Sequence, residues 1–405
     1  MTADDVIAND QRYILQTYQR PNFVIERGEG CYLFDTDGRR YLDCVAGIAV
    51  NALGYGDPQV AQAIAAAATG LIHTSNLYYT RPSSDLAKLL VEHSFADRVF
   101  FSNSGAESVE GALKFGRKYA REHRPSSGSG RGRESKTTIV AFSGSFHGRS
   151  MGAVAVTHRD KYREPFMPVM PGVRFAPFND VAAANAAITD DVCAVIVEPV
   201  QGEGGLSTAT PEFLRGLRAR CNAVGALLII DEIQCGLGRT GTLWAYEPYG
   251  VTPDIMTVAK PLGGGLPIGA ILMTQAVADT IHVGEHGTTF GGGPFVASVA
   301  KVVVERIADP QFLAHVREVG DYLDEALHDF ASNHPQVLEL RGRGLMRGLR
   351  IDGSAGALRE VAHDAGLLVA TAGDDVVRLL PPLIIERQHV DEAIEKLGRA
   401  MSSIA

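Results

Sequence analysis

Four short stretches of this 405-residue chain carry residue types that can do chemistry, and each begins at or just after an apolar run or a turn. Lys260 ends the run 255–259 and precedes Pro261, Leu262 and three glycines. Partial burial lowers a lysine pKa and makes the amine nucleophilic towards an aldehyde. The plainer alternative is a lysine that snorkels to the surface from a strand end. Asp231 ends the run 226–230. It is either a helix N-cap or a functional carboxylate, and the polar, glycine-rich continuation DEIQCGLGRTG favours a site. Ser104-Gly105-Ala106-Glu107 follows the run 99–101 and opens a segment with Val109, Ala112, Leu113, Gly116 and Ala120 at helical spacing. A helix N-terminus with a glycine at its start can hold phosphate on backbone N–H groups, although a well-capped helix needs no ligand. The stretch 286–292, HGTTFGG, sets Thr288 and Thr289 among glycines as donors for phosphate oxygens, or as a simple turn.

Such residues act together only if the fold carries them to one place. Residues 193–198 are a valine- and isoleucine-rich apolar run, 211–224 place Phe213, Leu214, Leu217, Cys221 and Val224 on one helical face, and 226–230 are again apolar throughout. Strand, helix, strand in that order is a βαβ unit, and strands apolar on both faces belong in a covered parallel sheet. Residues 255–259 and 268–273 add two strands separated by the turn GGGLP. In an open α/β sheet ligands bind at the carboxyl ends of the strands, where Asp231 and Lys260 fall. The ends of the chain differ from its middle. Residues 23–50 read as short strands around the turn Asp35–Gly38. From about 312 the pattern is helix, strands over 337–349, helix, and a strand over 376–380. The expected class is therefore α/β, with a large domain over 61–310 and a small α+β domain assembled from 1–60 and 311–405.

Composition narrows the class of function. With 45% hydrophobic and 21% charged residues the chain is ordinary globular material. A formal net charge of −9 argues against nucleic acid, whose phosphates need clustered Lys and Arg. The five cysteines include no C-x-x-C pair, which suits a reducing compartment and gives no disulfide or zinc framework. The histidines lack metal-ligand spacing, so no metal is expected. The polar start MTADDVIANDQRY is no signal peptide, and no apolar run can span a bilayer, so a cytoplasmic location is expected. Residues 125–136, PSSGSGRGRESK, read as an exposed loop. The glycines 342, 344 and 348 match G-x-G-x-x-x-G and open no βαβ unit, which excludes a nicotinamide-dinucleotide site on context.

Taken in order, SNSGAE (102–107), SFHGR (145–149), EPVQGEGG (198–205), DEIQCGLGRTG (231–241), AKPLGGG (259–265) and HGTTFGGGP (286–294) closely resemble the class III, ornithine-type aminotransferases, over residues 23–387. Within that family GIAVNALG (47–54), HTSNLYY (73–79) and FHGR (146–149) are most similar to the acetylornithine subgroup. Two positions depart from the family pattern: Gly293 stands where Asn is usual, and Ser108-Val109 where small or polar pairs are commoner.

The resemblance implies a pyridoxal 5'-phosphate (PLP) enzyme of fold type I, with a mostly parallel seven-stranded sheet flanked by helices. It implies that Lys260 carries the cofactor covalently and moves the proton, and that Asp231 pairs with the ring nitrogen. Gln234 would bond the ring's 3-oxygen, with Glu232 and Ile233 also at the cofactor. Gly105 and Ala106 would bind the phosphate, helped by Thr289 from across a homodimer interface, and Phe146 would stack on the ring. Arg149 would hold a substrate carboxylate beside Thr288, and Glu203 and Arg378 would form a switch between the two substrates. The implied reaction moves the terminal amine of N2-acetyl-L-ornithine to 2-oxoglutarate by a ping-pong route, as in arginine biosynthesis. Ornithine, succinylornithine, 4-aminobutyrate and carrier-linked lysine are the neighbouring donors. A PLP-binding protein without catalysis is the alternative of a different class, and the joint presence of Lys260, Asp231 and Arg149 argues against it.

Overall fold

The computed structural model describes residues 1–123 and 136–404. The loop expected over 125–136 therefore lies outside the described residues, apart from Lys136. The centre is a seven-stranded sheet in the order Arg98–Ser102, Gly269–Met273, Ile255–Val258, Leu227–Asp231, Val192–Val197, Thr138–Phe142 and Val173–Ala176. Every neighbouring pair is parallel except those of Gly269–Met273, which runs antiparallel to both of its neighbours. The carboxyl ends of six strands and the amino end of the seventh thus meet along one edge.

The apolar runs form this sheet because both of its faces are covered. Val140, Phe142, Val195, Val197, Leu228, Ile230, Met256 and Val258 pack into one core. Their alternating neighbours Ile139, Ala141, Ala194, Ile196, Leu227, Ile229 and Ile255 pack into another. That period-two split is the pleat of a strand buried on both sides. The Pro211–Val224 helix covers one face with Phe213, Leu214, Leu217, Cys221 and Val224. Thr210 caps its start by accepting from Phe213 N at 3.1 Å, and Gly225 ends it in the left-handed region at φ 66°. Each large apolar side chain on that face contributes about 1.5–3 kcal/mol by leaving water. A β-branched residue at 225 would break the end of this helix. The Val173–Ala176 strand was not apparent in the sequence, since its half-buried pattern carries Arg174 in four residues.

The ends of the chain build two smaller sheets. Ile25–Glu29, Tyr32–Asp35 and Arg40–Asp43 form a meander, and Leu367–Leu368 joins it parallel to Arg40–Asp43. Val337–Arg343, Met346–Ile351, Val376–Leu379 and Ala370–Thr371 form an antiparallel sheet. Gly342 and Gly344 lie at the tight connection of its first two strands, far from any βαβ unit. All five cysteines are buried with free thiols. Among the described residues no helix is long and apolar enough to cross a membrane.

Candidate active site

A cavity of about 350 Å³ opens at the edge where the strands end. Asn103, Gly105, Phe146, Glu198, Asp231 and Lys260 line it; Asn103 and Gly105 follow the Arg98–Ser102 strand, and each of the others lies at the end of, or on the segment after, a different parallel strand. This is the place where a parallel sheet leaves open backbone and polar ends.

Lys260 follows the Ile255–Val258 strand with φ +28°, an uncommon backbone for a residue with a side chain. It lines the cavity and is partly exposed there. Burial holds its amine below the usual lysine value, against the opposing pull of Glu203 and Asp231. An amine depressed in this way is more often neutral and nucleophilic. A lysine reaching outward to bulk water does not describe this position.

Asp231 closes the adjacent strand and is buried. The next helical turn begins only at Glu247, so it is no N-cap. Oδ1 accepts from Ile233 N at 3.1 Å, and Oδ2 lies 2.7 Å from Nδ1 of the buried His147. His147 was not singled out from the sequence, although it stands inside SFHGR just past the Thr138–Phe142 strand. Burial alone lowers its pKa. The hydrogen bond and charge of Asp231, with the charge of Glu198, outweigh that and hold it above the ordinary 6.5.

Glu198 was also missed, and the signal was available: like Asp231 it is a carboxylate immediately after a buried strand. Its Oε1 accepts from Phe146 N at 2.9 Å and its Oε2 from Gly202 N at 3.2 Å. Burial, with Asp231 nearby, pushes its carboxyl up to about 7, His147 opposing.

At the other end of the cavity the Gly105–Glu122 helix begins. Ser104 caps it, accepting from Glu107 N at 3.2 Å, and Glu107 reaches back to Asn103 N at 2.7 Å. Gly105 and Ala106 line the cavity at this N-terminus. The departure at Ser108 has a local use: its hydroxyl bonds the carbonyls of Ser104 and Val258, two residues before Lys260.

Arg378 is buried on the Val376–Leu379 strand. Its NH1 donates to Glu203 Oε1 at 2.6 Å, Gly202 O at 2.8 Å and Gln234 Oε1 at 3.1 Å. Gly202 is needed there, because a Cβ would run into the Gln234 side-chain amide.

Other expected residues lie differently. Phe146, Gln234, Ile233 and Glu203 line the cavity, but Glu232 does not. The Glu232 carboxylate instead accepts from Ala245 N and Tyr246 N, each at 2.8 Å, and burial pushes it up to about 8. Glu232 is thus placed outside the cavity lining, as a buried brace for the following loop. The alternation of side chains through Asp231-Glu232-Ile233 turns it away from the cavity. Arg149 is exposed over the ring of Tyr162, 3.8 Å from its centroid, and 5.5 Å from that of the cavity-lining Phe146. Thr288 is held at one remove, its hydroxyl accepting from Asn103 Nδ2 at 3.1 Å. Thr289 is exposed and lines no part of its own chain's cavity. Gly293 begins the Pro294–Ala308 helix without any side-chain cap, the local consequence of lacking Asn.

A depressed lysine amine, a buried carboxylate on a histidine and a helix N-terminus are thus gathered around one cavity at a sheet edge. The class-III aminotransferase profile matches residues 13–401. The chain belongs to the class-III aminotransferases. An aminotransferase called acetylornithine aminotransferase, mitochondrial, from Alnus glutinosa is 50% identical over 97% of this chain and 86% of its own length. The succinylornithine transaminase of Yersinia pseudotuberculosis is 45% identical over 97% and 95%. The crystal structure of Toxoplasma gondii ornithine aminotransferase superposes on this aminotransferase with a TM-score of 0.94 at 30% identity, covering 100% and 96% of the two chains. Another structure of the Toxoplasma enzyme, TM-score 0.91 at 30% identity over 100% and 95%, has PLP at partial occupancy in its active site.

Proposed function

We propose that this aminotransferase uses PLP held on Lys260 to move the terminal amine of N2-acetyl-L-ornithine to 2-oxoglutarate, giving N-acetyl-L-glutamate 5-semialdehyde and L-glutamate. The observation that carries this reading is the convergence of Lys260 and Asp231, from adjacent strands, on one cavity closed by a helix N-terminus. The donor set fits PLP. Gly105 and Ala106 offer N–H groups to a phosphate, Asp231 a carboxylate to a protonated ring nitrogen, Lys260 an amine to an aldehyde, and Phe146 a ring face. When bound, the cofactor supplies the electron sink and carries the amino group between two half-reactions.

The chain's own groups do the rest. Lys260 Nζ removes the proton from the carbon that bears the donor's terminal amine. Asp231, kept in register by His147, holds positive charge beside it. Gln234 orients the ring's 3-oxygen. Arg149 grips the donor's carboxylate beside Thr288, a task that suits a planar guanidinium. N-acetylornithine presents an amine far from its α-carboxylate, whereas glutamate presents its α-amine with a carboxylate next to it. Glu203 therefore covers Arg378 for the first and releases it for the second. Support for N-acetylornithine as donor comes from the likeness to the Alnus enzyme and from motifs 47–54 and 73–79.

The working unit in this reading is a homodimer. Leu71, Ile72, Leu77, Tyr78, Tyr79 and Phe290 are exposed together. Asn76 ties that segment to Thr288 O at 3.0 Å. A second copy covering this apolar patch carries Thr289 towards the partner's phosphate site. The small domain is formed from 1–60 and 311–405 and the large one from 61–310, a division supported by the pairing of Leu367–Leu368 with Arg40–Asp43.

The test is a donor panel on purified enzyme supplied with PLP and 2-oxoglutarate. The highest kcat/KM is expected with N2-acetyl-L-ornithine, above succinylornithine, ornithine and 4-aminobutyrate. A higher value for any other donor overturns the substrate. No glutamate from any donor overturns the reaction.

A further inference from the structure

Arg239 is fully buried, yet it lines no part of the cavity. It lies in the turn-rich segment that follows Asp231 and Gln234, between Gly238 and Gly241. Its NH1 donates to Leu345 O at 3.2 Å and to Pro381 O, and its own carbonyl accepts from Leu345 N at 3.0 Å. Both contacts lead to Arg378. Pro381 is three residues beyond it on the same segment. Leu345 begins the stretch that enters the neighbouring strand, in which Gly348 pairs with Arg378.

The segment that Arg239 holds is also fastened to the cavity wall. Leu380 N donates to Cys44 O and Leu383 N to Ala52 O, each at 2.7 Å, on either side of the stretch that places Val50 in the wall. Asp43, buried itself, is the charge that acts on Arg239, and it is engaged by Val45 N, Ala46 N and Tyr55 Oη. Nε and NH2 of Arg239 have no hydrogen-bond partner among the described residues. A buried guanidinium with open donors is a poor way to gain stability, because an apolar side chain in the same space avoids the desolvation cost. What it provides is geometry: one nitrogen fixes two carbonyls on two segments that converge on one strand pair.

We propose that Arg239 is a positioning residue for Arg378, setting the binding of the keto acid's α-carboxylate and so the second half-reaction. This rests on the reading that Arg378 receives that carboxylate. Without the Arg239 guanidinium the Arg378 strand loses the side-chain bonds through Pro381 O and Leu345 O. The Arg239 carbonyl–Leu345 N bond and the Arg378–Gln234 contact remain but do not fix the Pro381 end, and Lys260, Asp231 and Arg149 keep their supports. The defect should therefore fall on the dicarboxylic substrate.

The test uses PLP-loaded Arg239→Met, Arg239→Lys and Arg378→Ala beside the wild type. Calorimetry gives the affinity for glutarate, a non-reacting dicarboxylate. Single-turnover absorbance gives the half-reaction rates with glutamate and with N2-acetyl-L-ornithine. Arg239→Met should weaken glutarate and slow the glutamate half-reaction at least tenfold, with the N-acetylornithine half-reaction within threefold of wild type. Arg239→Lys, which keeps one donor for Pro381 O, should recover much of the loss. If Arg239→Met does not fold, Arg239→Lys carries the test, with a smaller loss confined to glutarate and glutamate. Equal losses in both half-reactions, or no loss, overturn the positioning role. If Arg378→Ala leaves glutarate affinity unchanged, the role given to Arg378 is what fails, and the inference falls with it.

Discussion

Nδ1 of His147 stands 2.7 Å from Oδ2 of Asp231, with both side chains buried. The pair fixes a carboxylate that lines the cavity, and it gives the site a proton-dependent element. His147 has its folded pKa raised above 6.5. The stability of the pair is therefore complete below 6.5 and is lost as pH rises through the raised native value. Replacing His147 with Gln should cost about 3 kcal/mol in the acid range, as for a broken buried pair. The difference from wild type should shrink as pH climbs past 6.5. Urea unfolding across pH measures it, and a pH-independent difference would show that the imidazole is not charged by Asp231.

Glu232 tests the distinction between a brace and a ligand. Its carboxyl is pushed up from 4.5 to about 8 by burial. The native state therefore holds a proton that the unfolded chain has released, so this contribution is full below 4.5 and fades as pH rises through about 8. Glu232→Gln should flatten that decline in denaturant midpoints between pH 5 and 9. Glu232→Ala should cost about 3 kcal/mol, since the buried N–H groups of Ala245 and Tyr246 lose their acceptor. PLP affinity should be within about threefold of wild type for Glu232→Gln, a tolerance of under 1 kcal/mol. A larger loss would return Glu232 to the cofactor site.

Glu203 and Arg378 are joined at 2.6 Å with Arg378 buried. Removing the cover with Glu203→Ala should favour glutamate over N2-acetyl-L-ornithine as amine donor by roughly tenfold, the scale of one charge-assisted hydrogen bond. Single-turnover rates with the two donors give the ratio. Equal losses would mean that the ion pair only joins two parts of the fold.

The exposed patch of Leu77, Tyr78, Tyr79 and Phe290 predicts that activity follows dimerisation. Tyr79→Asp should produce monomer in sedimentation experiments and abolish turnover. Thr289→Ala should leave the dimer intact and weaken PLP binding about tenfold, as for one lost phosphate contact. A fully active monomer contradicts the shared site.

Much of this was legible in the residues. The runs 226–230 and 255–259 gave both strands to within a residue, and the polar residues that end them, Asp231 and Lys260, proved to share a cavity. A covered parallel sheet writes itself as continuous apolar runs, so its ends are visible too. The Pro211–Val224 helix matched its expected bounds because Thr210, Pro211 and Gly225 are strong boundary residues. What was hidden depended on contacts distant in sequence. His147 takes its meaning from Asp231, 84 residues away, and Arg239 from Pro381, 142 residues away. The resemblance places Glu232 at the cofactor beside Asp231, and only the backbone shows that its side chain points away from the cavity, since adjacent side chains of an extended segment point oppositely. Arg149, Thr288 and Thr289 lie outside the cavity lining, and no periodicity in the sequence signals that placement.

The most direct measurement is borohydride reduction of the PLP-loaded enzyme, followed by peptide mapping. The modification is predicted on Lys260 alone, with the visible absorbance band lost in step. Lys260→Ala is predicted to take up PLP without forming the reducible bond and to lose turnover by several orders of magnitude. A reduced adduct on any other lysine, or near-normal turnover by Lys260→Ala, would contradict the assignment of Lys260 and the mechanism built on it.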